Sequence, residues 1–282
     1  MTISSVEDTP ISERPRLLRL AYRMLGSVSE AEDVVQDAFL RLTAQSPQPR
    51  SPAAWLTTVT SRLAIDRLRR IKARRETYPG PWLPEPLQAE EDERAGDLSM
   101  GFLLLLERLS PEERAAFTLR EAFGTPYAEI APVLDKSEPA VRQLVSRARE
   151  KVRRDRPEAG ATSARHSRLL DAFVAAVASG DIEAVKRLLS ADVRFVTDGG
   201  GRKSAALRVI HGRDEAASLM HFLSGRGGVQ TLRALQLNGA TGLFVVDLKG
   251  DPFTIQIETD GQTLSEVYVM RNPEKLKHLV SV

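Results

Sequence analysis

The sequence predicts a multidomain protein in which two all-α helical domains are followed by an α+β domain. Apolar residues recur at helical spacing from about Arg14 to Arg75 and again from Gly101 to Arg154, which indicates the helical part. The last two helices of that part are joined by a short polar turn. After Val193, strand-like runs alternate with turn signals such as Asn-Gly and Asp-Gly, which indicates the α+β part. With 282 residues the chain is long enough for two domains or three small ones.

The composition limits the classes of function. Hydrophobic residues make up 42% and charged residues 28% of the chain, as in an ordinary globular protein. The net charge is only +2, so affinity for nucleic acid has to come from local basic clusters. Cysteine is absent, which excludes disulfides, thiolate metal sites and a cysteine nucleophile. The N-terminus is unlike a signal peptide, and the apolar runs are too short to cross a bilayer. We therefore expect a cytoplasmic protein with no membrane partner, cofactor or metal site.

The first helical region, from about residue 14 to residue 75, is predicted to hold three helices with segregated charges. The first ends at Gly26, Ser29 caps the second, and Pro52 opens the third. The outer face of the second helix is acidic and polar. The third helix carries seven basic side chains and one acid between Arg62 and Arg75. A solvated face explains either charge set alone, but it explains their segregation less well.

Helical periodicity stops between Glu76 and about Ser99, where prolines and carboxylates dominate. Prolines favour extended or turn conformations and the acids keep the stretch solvated, so a linker is predicted. The run WLPEP within it contains Trp82 and Leu83, and a free linker gains nothing from an exposed tryptophan. We therefore expect this run to dock on another part of the protein.

The stretch from Gly124 to Arg154 predicts two helices joined by a tight turn. Thr125 is a candidate cap for the first helix, with Pro126 at its first position, and Ser137 is a candidate cap for the second. The second helix has one apolar stripe and an opposite face rich in arginine. This combination is typical of helix-turn-helix DNA recognition. A helical hairpin with a merely solvated basic face is the alternative.

The region after about Arg165 is predicted to place helices on one face of a curved antiparallel sheet. The predicted helices are His166–Ser179 and Asp181–Leu189. The predicted strands are Val193–Thr197, Arg208–His211, Val229–Leu237, Leu243–Leu248, Phe253–Glu258 and Leu264–Met270. Side chains of types used in catalysis are also present, namely His211, His221, Asp198, Asp247 and Tyr268. No spacing fixes them as a site, so we predict that the protein is not an enzyme.

The helical part resembles a bacterial extracytoplasmic-function (ECF) sigma factor. The resemblance covers about residues 14–155 and rests on SEAEDVVQDAFLRL at 29–42, AWLTTVTSRLAIDRLRR at 54–70, LSPEERAAFTLREAFGTPYAEIA at 109–131 and SEPAVRQLVSRAREKVR at 137–153. The remainder is similar to a fused C-terminal SnoaL-like (NTF2-like) domain, on the runs WLPEP at 82–86, DGGGRK at 198–203 and NPEKL at 272–276. Arg202 within the glycine-lysine run, Glu274, Pro132 and Asp135 depart from the family's usual residues.

The resemblance implies four segments and a function. It places a sigma region 2-type helical domain at 10–76, an acidic Pro-rich linker at 77–100, a region 4-type helix-turn-helix domain at 101–156 and a cone-shaped NTF2-like regulatory domain at 165–282. It implies a protein that binds core RNA polymerase and directs promoter-specific initiation. The acidic linker would follow the RNA path of polymerase.

Residue roles in the helical domains follow from the same resemblance. Core polymerase would be contacted by Asp33, Gln36, Asp37 and Arg41. The −10 element would be bound by Trp55, Thr58, Ser61, Arg62, Arg67, Arg69 and Arg70. Trp55 is either a stacking wall for a melted base or, in the favoured interpretation, a core tryptophan. The −35 element would be read by Glu138, Arg142, Gln143, Ser146, Arg147 and Arg149. Arginine suits these roles because it neutralises phosphates and donates to base edges.

The resemblance also implies that the C-terminal domain modulates activity in cis. The interdomain residues would be Trp82, Leu83, Pro84, Glu85, Pro86, Asp198, Gly199, Gly200, Gly201, Lys203, Asn272, Pro273, Glu274, Lys275 and Leu276. Whether that domain also receives a small-molecule or protein signal stays open.

Two other classes of protein stay as alternatives. A plain helix-turn-helix regulator with a ligand-sensing domain would bind duplex promoter without polymerase and would not need the acidic second helix. An enzyme fused to a DNA-binding module would need a substrate that the sequence does not identify.

Overall fold

The structure, a computed structural model, describes residues 11–75, 77–88, 98–155, 162–224 and 228–280. The described residues form two compact units, one from 11–75 and 105–155 and the other from 77–104 and 162–280. The predicted linker at 77–100 thus groups with the C-terminal part. Its acidic residues from Glu90 to Asp97 lie outside the described residues, and the four-segment division stays a prediction. Across the described ranges, no helix combines the length and apolar character needed to cross a membrane.

The first unit begins with three helices that pack around a common core. They are α1 (Arg14–Leu25), α2 (Val28–Thr43) and α3 (Pro52–Arg75). As predicted, Gly26 ends α1, with a left-handed φ of 66°. The predicted cap of α2 is wrong, because Ser27 and not Ser29 accepts the hydrogen bond from the Glu30 amide. Both serines can cap, and the position of the turn after Gly26 decides between them. The core of this bundle includes Leu17, Leu20, Leu25, Val35, Leu56 and Leu68.

A second group of helices completes the first unit. They are α4 (Met100–Glu107), α5 (Pro111–Phe117), which continues as a π-helical turn at Thr118–Ala122, α6 (Tyr127–Leu134) and α7 (Glu138–Asp155). The division between the units runs through α4. In the sequence, Ser110 followed by Pro111 and Glu113 predicts a capping box at the start of α5. This prediction is confirmed, since Ser110 and Glu113 each accept a hydrogen bond from the other's backbone amide.

The first helix of the helix-turn-helix differs from the prediction at its start and carries a proline inside. Its N-cap is Pro126 and not Thr125, and no side chain caps it. Pro132 lies within α6 and removes one donor from the helix ladder. Asp135 ends the helix in the left-handed conformation, with φ of 52°, which aspartate tolerates better than most residues.

The second unit contains a six-stranded sheet with helices around it. Its elements are α8 (Ser163–Ser179), α9 (Ile182–Leu188), β1 (Leu189–Asp198), β2 (Ile210–His211), α10 (Arg213–Ser224), β3 (Val229–Leu237), β4 (Ala240–Asp247), β5 (Pro252–Thr259), β6 (Leu264–Met270), a 3-10 turn at Pro273–Lys275 and α11 (Lys277–Val280). The strand order is β2-β1-β6-β5-β4-β3.

The sheet is mixed and not wholly antiparallel, which corrects the prediction. β1 runs parallel to β6, with Phe195 opposite Val267 and Thr197 opposite Val269. Two-residue periodicity identifies a strand but does not report the direction of its neighbour. Helix α10 was also not predicted, because its buried residues include the small Ala216 and Ala217, which give a weak apolar signal.

The two faces of the sheet are covered differently. Val267 and Val269 point into a core shared with the helices α8, α9 and α10. The alternate residues Tyr268 and Met270 point to a second core, which contains Leu83, Met100, Leu237, Phe244, Leu276 and Leu279. Residues of the predicted linker therefore complete the second core of the C-terminal sheet.

Candidate functional site

Helix α2 presents one polar face to solvent. The four predicted polymerase contacts, Asp33, Gln36, Asp37 and Arg41, are all exposed. Their spacing of three and four residues places them along a single stripe. Leu40 lies on the same stripe and is 59% exposed, which the sequence reasoning missed. The sequence does contain a signal for Leu40, because this apolar residue lies off the buried stripe of α2. An exposed leucine among charged residues is suited to a protein interface.

Helix α3 uses part of its basic cluster to cap another helix. The guanidinium of Arg62 donates to the carbonyl oxygens of Pro132 at 2.5 Å and Val133 at 3.4 Å. These carbonyls belong to the last turn of α6, where a helix has no donors of its own. A cation there also complements the negative end of the helix dipole. Arg62 therefore joins α3 to the helix-turn-helix.

Two further cations at the end of α3 make the same type of contact. Lys72 Nζ donates to the carbonyl oxygen of Leu109, just after α4, and Arg75 donates to that of Leu25 at 3.1 Å. Burial lowers the pKa of Lys72, an effect that the nearby Glu107 carboxylate opposes. Arg69 adds an ion pair with Glu112 at 3.0 Å. Arg62, Arg69, Lys72 and Arg75, which we call the α3 clasp, bind backbone and acids of neighbouring helices.

The remaining predicted −10 residues are placed unequally. Trp55 is half-buried, and Thr58 is half-buried with its hydroxyl bonded to the Ala54 carbonyl oxygen. Ser61 is fully buried and donates to the Thr57 carbonyl oxygen at 2.7 Å, so it is not part of the exposed surface. Arg67 pairs with Glu30 and, at 3.1 Å, with Asp33 of the exposed polar stripe of α2. Arg70 is exposed and makes no ion pair with any residue that the structure describes.

A buried charge network ties α1, α3, α4 and α5 together. The Arg114 side chain is fully buried, and its Nε donates to the Arg23 carbonyl oxygen at 2.8 Å. The Glu107 carboxylate bridges Arg114 and Arg75. Each charge therefore has a partner, as a buried charge requires.

Helix α7 brings its six predicted −35 residues to one side. Arg142, Gln143, Ser146, Arg147 and Arg149 are exposed and Glu138 is half-buried. The opposite stripe is buried and consists of Val141, Val145, Ala148 and Val152. Arg142 pairs with Glu138, and Arg149 pairs with Glu121 at 2.7 Å. The bond from Glu121 raises the pKa of Arg149 against a smaller effect of burial.

Glu113 of α5 fixes α7 to α5. Lys151 Nζ lies 2.8 and 2.9 Å from its two carboxylate oxygens, and the Ser110 amide donates to it at 2.9 Å. Burial by itself raises the pKa of this carboxyl. The bonds from Lys151 and Ser110 outweigh burial, so the pKa is lowered.

The lowered pKa of Glu113 predicts an acid-sensitive contribution to stability. Because the folded pKa is below the unfolded value of about 4.3, the contribution is present above that pH and is lost as the pH falls through the folded pKa. Glu113→Gln should therefore destabilise the protein at pH 7, and the difference from wild type should shrink below about pH 4. Urea unfolding from pH 3 to 7 measures it, with the more exposed Glu112→Gln as control. An equal pH dependence for both variants would contradict the assignment.

The predicted linker is held in the second unit by a buried ion pair. Asp198 and Lys275 are 1% and 7% exposed, and Lys275 Nζ lies 2.7 Å from Asp198 Oδ2. The same oxygen accepts from the Leu83 amide at 2.9 Å, and Oδ1 accepts from the Tyr78 hydroxyl at 2.6 Å. Asn272 Nδ2 donates to that hydroxyl oxygen at 2.9 Å. We call Tyr78, Trp82, Leu83, Asp198, Asn272 and Lys275 the linker anchor.

Lys275 is the centre of the linker anchor. Besides Asp198, its ammonium donates to the Leu83 carbonyl oxygen at 2.6 Å. It also lies 4.1 Å from the centroid of the Trp82 ring and 5.0 Å from that of Tyr78. One cation thus binds a carboxylate of the sheet, the backbone of the linker and two aromatic rings of the linker.

The glycine run beside Asp198 allows the linker to approach. Gly200 and Gly201 have left-handed φ values of 59° and 69°. A Cβ atom at Gly200 would overlap the side-chain amide of Asn272, and one at Gly201 would lie 2.8 Å from Pro79. Glycine is therefore required here both for its conformation and for close approach.

Other predicted interdomain residues divide between the linker contact and the surface. Leu83, Pro84, Glu85, Pro86, Gly199 and Leu276 are buried, and Pro273 is half-buried. The imidazole Nε2 of His278 lies 2.6 Å from the Pro86 carbonyl oxygen. Lys203 instead pairs with Asp251, and the exposed Glu274 pairs with Lys277. Tyr78 was missed, although an aromatic residue in a proline-rich stretch was the same signal that identified Trp82.

Comparison with known proteins agrees with this arrangement. The family profiles "Sigma-70 region 2" and "Sigma-70, region 4" match residues 11–75 and 99–152. ECF RNA polymerase sigma factor SigJ of Mycobacterium tuberculosis is 40% identical over 249 residues, which are 84% of this chain and 80% of SigJ. The chain belongs to the ECF RNA polymerase sigma factor family. The probable ECF sigma factor SigI of the same species is 34% identical over 64% of this chain and 66% of its own length.

A solved structure of SigJ extends the similarity of this ECF sigma factor to the fold. The crystal structure of M. tuberculosis SigJ covers 96% of this chain and 98% of its own, with a TM-score of 0.76 and 34% identity. The predicted fold class is confirmed at the level of helical sigma domains followed by an α+β domain.

Membership of the family establishes the function at the level of the whole chain. The protein is a sigma factor that binds core RNA polymerase and promoter DNA and directs promoter-specific initiation. It is a transcription initiation factor and not an enzyme, as predicted. The plain regulator and the enzyme fusion are thereby excluded.

The side chains considered for catalysis do not converge. His211 and His221 are exposed, whereas Asp198 is in the linker anchor. Asp247 accepts hydrogen bonds from the backbone of its own turn. Tyr268 is buried and donates to Glu266, and burial, together with the nearby carboxylates, raises the pKa of its hydroxyl. Within the described ranges, no group of His, Asp or Glu is arranged to hold a metal ion.

Proposed function

We propose that the C-terminal domain of this ECF sigma factor regulates promoter recognition in cis by holding the linker between regions 2 and 4. The observation that carries this proposal is the buried Lys275–Asp198 pair with its bonds to both backbone groups of Leu83. Releasing Leu83 would leave buried polar groups without partners, so the held state is favoured until another partner compensates. Core polymerase, whose binding orders both sigma regions, is that partner in the proposal.

The anchor limits how far regions 2 and 4 can separate. Residues 77–88, if free, could extend by up to about 3.5 Å each, which is roughly 40 Å of reach. A sigma factor has to place two helical regions on two promoter elements at once. Weakening the linker anchor should therefore raise initiation.

The proposal also locates this protein in the cytoplasm, because the protein acts together with RNA polymerase.

The α3 clasp adds a second restraint in the same proposal. Arg62 and Arg69 are assigned to the −10 element, yet in the structure they bind α6 and Glu112. Phosphates of promoter DNA compete for the same guanidinium groups. Opening of the first unit on polymerase would free them together. The assignments of the −10, −35 and polymerase-facing residues are part of this proposal.

The proposal also covers the nature of any signal that reaches the C-terminal domain. The space between the sheet and its helices is filled by side chains such as Phe173, Val185, Phe195 and Met220. This packing favours a protein signal, polymerase included, over a small molecule bound inside the domain.

Two alanine substitutions with matched backbone strain test the proposal. Gly200→Ala and Gly250→Ala both place alanine at a left-handed φ, of 59° and 81°. Only the first meets the linker anchor, since nothing lies within 4 Å of a Cβ at Gly250. Gly200→Ala should raise run-off transcription by reconstituted holoenzyme severalfold, whereas Gly250→Ala should not. A chain truncated after Pro157 should differ from full length in the same assay. Equal transcription by all four proteins would refute regulation in cis.

The −35 assignment predicts a selective loss of promoter affinity. Arg147→Ala removes an exposed donor from the reading face of α7 and should weaken holoenzyme binding to a selected promoter by about 1–3 kcal/mol, or roughly fivefold to 150-fold. Binding to scrambled DNA should change little. Arg153→Ala, an exposed arginine in the last turn of the same helix and six residues beyond Arg147, serves as control. A uniform loss on both DNAs would show that Arg147 contacts only phosphate.

A further inference from the structure

Tyr127 lies at the meeting point of three arginines in the helix-turn-helix. It is the first residue of α6 and is half-buried. The guanidinium carbons of Arg120 and Arg142 lie 4.6 and 4.5 Å from the centroid of its ring. Both distances are within the range of a cation–π interaction. Neither Tyr127 nor Arg120 was identified from the sequence as part of the DNA-binding face.

Other contacts fix these arginines around the ring. Arg120, which lies in the π-helical turn, donates to the Thr125 carbonyl oxygen at 3.2 Å. Arg142 pairs with Glu138 at the start of the recognition helix. Arg149 pairs with Glu121 at 2.7 Å, and the nearby Tyr127 adds to the raised pKa of its guanidinium after the larger effect of Glu121. Three cations from two elements are therefore gathered at one aromatic side chain.

Such an arrangement matters for reading bases. An arginine that reads guanine presents two parallel donors in one plane, and an unsupported arginine on a helix surface samples many rotamers. The Arg142 side chain is 59% exposed, so apart from its pair with Glu138 the Tyr127 ring is the main restriction on it among the described residues. Stacking on a fixed ring selects the plane of the guanidinium before DNA arrives, which reduces the ordering required on binding.

We propose that Tyr127 is a positioning residue for promoter recognition, whose ring holds Arg142 in the plane that reads the −35 element. This inference rests on the assignment of Arg142 to that element in the proposed function. The ring of Tyr127, and not its hydroxyl, carries this role.

Two substitutions separate this role from simple packing at the start of α6. Tyr127→Phe keeps the ring and removes the hydroxyl. Tyr127→Leu keeps an apolar side chain at the same half-buried place and removes the π face. If Tyr127 only packs, both variants behave alike. If its ring positions Arg142, only the leucine variant loses base discrimination.

The test uses full-length protein in holoenzyme with core polymerase and a duplex library randomised over the −35 element. Bound DNA is sequenced for wild type, Tyr127→Phe, Tyr127→Leu, Arg142→Ala and the double variant Tyr127→Leu/Arg142→Ala. We expect Arg142→Ala to flatten the preference at one or two base pairs. Tyr127→Leu should reduce the preference at the same pairs by about threefold to tenfold, and Tyr127→Phe should keep it. The double variant should match Arg142→Ala.

The outcomes distinguish the inference from the function on which it rests. If Arg142→Ala leaves every preference unchanged, the assignment of Arg142 to the −35 element is wrong and the inference is wrong with it. If Arg142→Ala acts but Tyr127→Leu is neutral or changes other base pairs, positioning by Tyr127 is refuted while the −35 assignment stands. Equal losses in the phenylalanine and leucine variants would also refute it. Melting curves of each sigma variant without core polymerase identify any loss caused by misfolding. Each of these interpretations requires that the leucine variant is folded.

Discussion

Replacing Lys275 with methionine is expected to lower the free energy of unfolding of the C-terminal unit by about 3–5 kcal/mol. The change leaves the carboxylate of Asp198, which is 1% exposed, without its cation. It also removes the donor to the Leu83 carbonyl oxygen and the cation over the Trp82 ring. Methionine is similar in length to lysine, so the destabilisation should come mainly from the loss of charge and not from a loss of volume.

The two tryptophans of the chain make this measurement specific. Trp55 lies in the first unit and Trp82 in the second, so a Trp55→Phe background leaves Trp82 to report on the C-terminal unit. Urea unfolding followed by its fluorescence compares Lys275→Met with Lys203→Met, whose more exposed pair with Asp251 should contribute no more than about 1 kcal/mol. Adding Asp198→Asn to Lys275→Met should recover part of the loss, because no buried charge then remains unpaired. Similar losses for both lysines would show that the anchor is not the main contact.

Local sequence signals predicted the helices well and their exact starts less well. Gly26 and the Ser110 capping box were read correctly because each has a distinctive chemistry at a fixed spacing. The cap of α2 was misplaced because Ser27 and Ser29 are chemically equivalent, and only the path of the preceding turn selects one. The parallel pairing of β1 with β6 depends on contacts between strands about 70 residues apart, which periodicity does not encode.

The same limits apply to the functional residues. The exposed face of α7 follows from the helical period, so its six residues were found together. Ser61 was placed on the DNA surface because its side chain is polar, although Ala64, Ile65 and Leu68 place it on the buried stripe of α3. The runs containing Asp198 and Lys275 were singled out, but nothing in the sequence pairs these two residues with each other or Lys203 with Asp251. Long-range charge pairing is decided by the folded backbone.

In the first unit, replacing Arg114 with methionine is expected to lower the free energy of unfolding by a comparably large amount. Its side chain is fully buried, it donates to the last turn of α1, and it shares Glu107 with Arg75. The substitution leaves the Arg23 carbonyl oxygen without this donor and Glu107 with one cation fewer. We expect the free energy of unfolding to fall by about 3 kcal/mol. This value is at the lower end for a broken buried pair because Arg75 still pairs with Glu107.

Trp55 fluorescence in a Trp82→Phe background measures this loss in urea. Arg69→Met is the control, since the more exposed Arg69–Glu112 pair should contribute no more than about 1 kcal/mol. Arg114 joins α5 to α1, so its loss should also loosen the hold of the α3 clasp on α4 and α6. Faster hydrogen exchange in α6 of Arg114→Met than of wild type would support a clasp that opens as a unit. Exchange confined to α1 and α5 would instead mean that Arg62 holds the helix-turn-helix independently of Arg114.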